Sequence, residues 1–438
     1  MWRCEPSRPR AARSAAAVLA ALMLALSPTD RARGDVIDAT STTLVSGRAD
    51  PRDGVVHTSL PVFELVSLRA TDVRLRGIDE LTIIVSGWGE MTLAGTDQGR
   101  QDLGDLDIAY VEGKVWKRRV SMRLGRQLLV AGAGRNLAFD GADITFTPWR
   151  WVGLSAQAGV PVTPRFAVHR GDAMIGGRAF WKPRFDSEAG ISFLQILDAG
   201  SIARQDLAGD ARVVVPSLPA VAFNGFARYS LYDDRLAEAQ ANASWQAGQR
   251  VEITAGYRRT APDLFLPRNS IFSVFSQETR DEVGGYVYWR LLPGLRLQAD
   301  YHAIVNDDGT GHDGSAKLTQ TLGADNRNSV GVEGRRLTLP QRLTLPASGF
   351  TMARAFAVVW LSPRALATLD ASSFYFDADV NGQRQSFIGA ATVAYDLPAG
   401  WRALLTGIGS VTPFAERRFE AMAKLVYQFT TRIRQVRP

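Results

Sequence analysis

Between Phe419 and Phe429 the chain is apolar at every second position: Phe419, Ala421, Ala423, Leu425, Tyr427 and Phe429, with Glu420, Lys424 and Gln428 between them. The same period of two runs through Ala237 to Ala247 against Glu238, Gln240, Asn242, Ser244 and Gln246. It recurs in Val251–Tyr257, where Glu252, Thr254, Gly256 and Arg258 take the alternate places, and in Leu295–Ala303, where Arg296, Gln298, Asp300 and His302 do. Leu81–Leu93, Ala109–Val115, Val152–Val160, Val221–Leu231, Val283–Leu291 and Phe387–Tyr395 keep the same phase. Successive side chains of a strand point to opposite faces, so each run predicts a strand with one apolar and one polar side. Helical periodicity is scarce, and beyond the N-terminal leader no apolar stretch approaches the roughly 20 residues of a membrane helix. Repeated segments of about ten alternating residues, separated by turns, predict a transmembrane β-barrel.

The turns sort into two kinds. TPWRW (147–151), FWKPRF (180–185), LLPGLR (291–296), WLSPR (360–364) and LPAGWR (397–402) are short and flanked by Trp or Arg. The stretches 95–104, 131–140, 161–172, 198–209, 262–279 and 306–348 are longer and polar. Short periplasmic turns at one end and long outer loops at the other are the plan of an outer-membrane barrel, with aromatic residues at the interfaces. Placing every Trp- or Pro-containing turn on one side gives an all-β, antiparallel barrel of about 18 strands, with 16 as the alternative. RNSVGVEGRRL (327–337) has strand character but breaks that parity, and is assigned to a long outer loop.

The N-terminus supplies a destination. Arg3, Arg8, Arg10 and Arg13 precede the apolar run SAAAVLAALMLALS (14–27) and a small-residue exit at Ala32-Arg33-Gly34, the layout of a secretory signal peptide over residues 1–34. That leader carries six Arg against Glu5 and Asp30, a net +4, so about +3 of the chain's +7 belongs to the rest. The basic balance is thus partly a property of the leader, and it gives no support to a nucleic-acid partner. The single cysteine, Cys4, also lies in the leader, so disulfides play no part in the exported chain. Residues 35–79 read as a periplasmic N-terminal segment in which PVFELVSLRATDV (61–73) is a small plug, a short helix or an additional strand. The barrel is expected over 80–429, and 430–438 form a C-terminal tail.

In hydrocarbon every backbone N–H and C=O needs a partner and no strand edge can stay open, so the sheet must close on itself. With its apolar rows toward lipid, the ionic rows need water inside, and 16–18 strands leave an aqueous channel. The leader, the alternating strands and a terminal strand ending at Phe429 together resemble a porin-type outer-membrane protein of Gram-negative bacteria. The resemblance implies outer-membrane lipid and small hydrophilic solutes as partners, and barrel-insertion machinery that reads the C-terminal strand; an oligomer is compatible with it. RLGRQ (123–127) followed by GRNLAFDGAD (134–143) resembles a strand-and-loop pattern of porin-like and polysaccharide-export barrels.

The phase assigns the pore lining. Lys114, Arg123, Arg178, Arg228, Arg258, Arg290 and Arg296 fall on the polar face, with Glu112, Glu238, Glu252, Glu282 and Asp300. Counting Lys182, Lys424, Glu90, Asp370 and Glu420 as well, bases and acids are close to balance, which predicts weak charge selectivity; a dedicated anion pore would show a ring of bases. Arg126 is in phase with Met122 and Leu124, so either a bulge at Gly125 turns it inward or it stands near the outer rim. The loop 306–348 is long enough to enter a pore. Its NDDGTGHDG (306–314) does not keep calcium-loop spacing, so no metal or cofactor is expected. No Gly-x-Ser-x-Gly occurs, and Asp300 and His302 read as a lumen pair rather than a hydrolase site. The reading is therefore a passive outer-membrane channel and not an enzyme. The alternatives are a substrate-specific barrel for an anionic polysaccharide or organic acid, and a structural barrel without an open pore.

Overall fold

The computed structural model describes residues 36–432, apart from 53–54, 76, 96–101, 163–170, 185, 219, 265–278, 324 and 339–348. The signal peptide and the tail beyond Arg432 lie outside the described residues. Strands account for nearly all of the rest. The first five are β1 (Val36–Arg52), β2 (Val55–Leu75), β3 (Ile78–Gly95), β4 (Asp102–Val115) and β5 (Val120–Leu128). Then come β6 (Ala138–Trp149), β7 (Val152–Val162), β8 (Ala173–Arg184), β9 (Ser187–Asp198), β10 (Ser201–Val214) and β11 (Val221–Ser230). β12 (Arg235–Ala247), β13 (Val251–Thr260), β14 (Arg280–Leu292), β15 (Leu295–Asn306), β16 (Gly309–Leu322) and β17 (Asn328–Thr338) follow. The last are β18 (Gly349–Ser362), β19 (Ala365–Val380), β20 (Gln383–Asp396), β21 (Trp401–Thr412) and β22 (Ala415–Arg432).

All belong to one 22-stranded sheet of antiparallel neighbours. β1 pairs with β22 from Val36↔Arg432 to Ala49↔Phe419, so the ladder returns to its own beginning. The fold is a closed antiparallel β-barrel, and closure gives the edge groups of the first and last strands their partners. Contacts group the chain into two units. One holds residues up to Gln127 with 394–407 and those from Phe419 onward; the other holds Leu128–Val393 with 408–418.

The expected strand number, about 18 with 16 as the alternative, is too low. β1 and β2 occupy the stretch assigned to a periplasmic segment, and β16 and β17 occupy the stretch assigned to a long outer loop. β1 has no apolar row to reveal it: Asp38, Thr40 and Thr42 alternate with Ala39, Ser41 and Thr43, and Ser41 and Thr43 hydrogen-bond Glu64 at 2.5 and 2.6 Å. β16 begins at Gly309, whose φ of +132° serves the sharp turn after Asn306, so an Asp- and Gly-rich stretch is a hairpin and not a loop. With β16 present, β17 keeps the even parity. The connection expected at 198–209 is likewise a two-residue turn, with Ala199 at φ +50° and Gly200 at φ +84°, and β10 starts at Ser201.

Tryptophans mark one set of strand ends in the second unit. Trp149 and Trp151 flank the β6–β7 turn with rings stacked at 5.7 Å. Trp181, Trp245 and Trp289 stand near the ends of β8, β12 and β14, all at short turns and all exposed. Rings that are apolar in body and polar at the N–H suit a membrane–water interface.

Candidate functional site

Residues directly opposite in an antiparallel pair lie on the same side of the sheet. The register Arg178↔Ser192, Ser192↔Ala208, Ala208↔Arg228, Arg228↔Glu238 and Glu238↔Thr260 carries one face across β8 to β13. Glu252 and Arg258 are in phase with Thr260; Arg258 stands opposite Glu282, Arg290 opposite Arg296, and Asp300 follows in phase. Nine of the expected lining residues thus share a face of the second unit: Arg178, Arg228, Arg258, Arg290, Arg296, Glu238, Glu252, Glu282 and Asp300. The other face carries Ile175, Ile191, Leu207, Phe223, Ile253 and Val283, all exposed. In the first unit Glu112 stands opposite Arg123, and Lys114 opposite Ser121, on one face, while Val111, Met122 and Leu124 are exposed on the other.

Several of these residues are brought into contact. Lys114 Nζ lies 2.9 Å from Glu80, and Arg123 3.7 Å from Glu112. Glu282 holds Arg280 at 2.7 Å, and Asp300 accepts a hydrogen bond from Ser315. Arg178 joins Glu188 at 2.6 Å and Asp210 at 2.5 Å, while Lys182 reaches Glu188 at 2.8 Å. Arg258, Glu252 and Arg296 share the face without an ion pair among the described residues. Arg126 stays on the side of Leu124, since Ala109↔Arg126 and Val111↔Leu124 keep register through Gly125. It stands at the end of β5 and reaches Asp105 at 2.8 Å and the Leu106 carbonyl at 2.7 Å, where the penalty for a lipid-side cation fades.

The segment between β5 and β6, Leu129–Leu137, is the feature that periodicity does not reveal. It makes a single 3-10 turn at Gly132–Gly134, whose three residues are buried. Leu129 and Ala133 pack with Phe139, Met174, Leu194, Ala208 and Phe226 in one buried cluster, so the segment lies on the polar-face side of β8 to β11. Small residues permit the approach. Gly132 has φ +68°, and a Cβ there would come within 2.5 Å of the Ser192 hydroxyl. The Ala133 amide donates to that hydroxyl at 2.7 Å, and Ser192 donates to the Ala208 carbonyl at 3.3 Å.

Charges fasten the far end of the segment. Arg135 pairs with Glu238 at 2.6 Å, its guanidinium 4.2 Å from the Phe226 ring centre. Glu238 also faces Arg228 at 3.7 Å, Arg228 faces Asp206 at 3.8 Å, and Asp206 holds Arg204 at 2.5 Å. Arg204 reaches back to the Ala133 carbonyl at 3.4 Å. Arg228 and Asp206 are each only 2% exposed, so the network is desolvated and depends on every partner being present. Arg228, Glu238 and Arg178 were legible from phase; Arg135, Arg204, Asp206, Asp210 and Ser192 were not. The sequence signal for them is the pair Gly132 and Gly134, with Asn136 at φ +68°, which mark a chain folded tightly onto something.

A closed antiparallel ladder with one exposed apolar face and one ion-paired face defines an outer-membrane β-barrel. No family model and no curated protein matches the chain by sequence. Among solved structures it is similar to the translocation pore of the P pilus usher PapC, at 10% identity and TM-score 0.50, covering 90% of this chain and 100% of that one. It is also similar to Pseudomonas aeruginosa OccK5 (OpdH), at 9% identity and TM-score 0.45, covering 91% of this chain and 98% of that one. A BenF-like porin from Pseudomonas fluorescens Pf-5 follows, at 11% identity and TM-score 0.46, covering 91% and 99%. The usher match supports the barrel architecture and nothing finer.

Proposed function

We propose that the barrel is a channel through which small hydrophilic solutes cross the outer membrane, and that it selects among them where Leu129–Leu137 lies on the wall. The observation that carries this is the pinned segment: an aqueous interior narrowed by a fixed stretch of chain discriminates by size and by the charges beside it. Arg228 and Glu238 lie buried behind the segment and Arg178 stands beside them on the same face, while Lys114, Glu112 and Arg123 line the interior in the first unit. The near-balance of bases and acids, which taken alone predicts weak selectivity, counts charges already matched in local pairs. The field a solute meets comes from the groups left over, so the total is a poor guide to preference. The exposed Phe429 near the end of β22 is the feature that insertion machinery would engage.

Purified protein in planar bilayers is expected to give stepwise conductance that sugars and organic anions block to different extents. A protein that folds and inserts but passes no current removes the channel reading in favour of a structural barrel.

A further inference from the structure

Resting on that channel reading, we infer a second site: a phosphate-binding row formed by Arg250, Arg290 and Arg296 at the short-turn mouth, apart from the pinned segment. Arg290 of β14 stands directly opposite Arg296 of β15, and its amide donates to the carbonyl of Arg250, the turn residue that leads into β13, at 2.8 Å, so the three backbones are neighbours. Like charges opposite one another in a sheet oppose its stability. Several other arginines of this face hold acids: Arg280 with Glu282, Arg335 with Asp313, and Arg354 with Asp370 and Glu333. Arg212 and Arg258 form no ion pair among the described residues, but each stands directly opposite an acid, Glu188 and Glu282. Arg250, Arg290 and Arg296 are exposed and form no ion pair among the described residues. Glu252, the acid nearest along β13, forms none either. Arg290 instead lies 6.0 Å from the Tyr288 ring centre.

The row therefore presents three guanidinium groups outside any ion pair at one end of the strands, a feature the fold does not need. Adjacent strands are about 4.8 Å apart, so neighbouring forks converge on one tetrahedral oxyanion, or together follow two linked ones. A phosphate could come from a solute in the interior or from a lipid headgroup. Trp289, adjacent to Arg290, is exposed on the opposite face, so the guanidinium groups point away from the lipid side. The assigned ligand is a phosphate-bearing solute, gathered where the β12–β13 and β14–β15 turns open to the periplasm.

Calorimetry of pyrophosphate with the detergent-solubilised full-length protein tests this without requiring conduction. A silent bilayer would sink the channel reading alone, and absent binding would sink the site alone. Charge-assisted hydrogen bonds from two arginines are worth more than about tenfold in affinity, so Arg290→Ala with Arg296→Ala is expected to weaken binding by at least that much. Arg290→Lys keeps part of the binding, and Arg335→Gln, which removes an already paired arginine, leaves it unchanged. Heat-dependent gel migration verifies that each variant is folded. Equal binding by the double variant overturns the proposal. So does loss of pyrophosphate binding when anionic phospholipid is added to the micelles, because the row would then face lipid.

Discussion

At the residue scale, phase assigned charges to a face but not to partners. Arg228 and Glu238 are readable as polar-face positions. Nothing in the spacing tells that Arg228 is desolvated between Asp206 and Glu238, because those contacts join β10, β11 and β12 through the fold. Arg126 makes the same point: its place on the apolar side was legible, and its rescue by Asp105 was not. The two ion pairs of Glu238 are unequal in environment, and this yields a prediction. Arg135 is 28% exposed at its side chain, so Arg135→Ala removes a partly screened pair and is expected to cost about 1 kcal/mol or less. Glu238→Ala also leaves the buried Arg228 short of an acid and is expected to cost about 3 kcal/mol. The temperature at which the folded band disappears in semi-native gels should fall much further for Glu238→Ala, and equal falls would contradict the network.

At the scale of elements, strands with a continuous apolar row, such as β13 and β22, were legible because lipid demands such a row. β1 and β16 were not. Ser41 and Thr43 meet Glu64, and the first half of β16 carries Gly311, His312, Asp313 and Gly314, so neither presents the alternation that marks a strand. The pinned segment was hidden for a different reason, since all its core partners but Phe139 belong to four strands distant in sequence. Gly132→Ala tests its close seating. The added methyl would meet Ser192 within 2.7 Å from a left-handed backbone, so the segment should lift, with higher single-channel conductance and new protease cleavage between Leu129 and Leu137. Gly389→Ala, where nothing lies within 4 Å, should leave both unchanged. An unaltered conductance in Gly132→Ala would show that the segment does not narrow the path.

For the whole molecule, a water-filled path depends on one division of surfaces, apolar rows against lipid and ionic rows against water, along a ladder that closes from β22 to β1. The lone cysteine lies at position 4, in the predicted leader, so single cysteines elsewhere give a clean reading of that division. The most direct measurement replaces Ile253, Thr254, Tyr257 and Arg258 of β13, one at a time, with cysteine and follows two signals in liposomes. Thr254→Cys and Arg258→Cys are expected to react with a water-soluble, membrane-impermeant maleimide. A fluorophore on Ile253→Cys or Tyr257→Cys is expected to be quenched by brominated lipid. The same response at all four positions, or water labelling confined to Ile253→Cys and Tyr257→Cys, would contradict the barrel and the channel together.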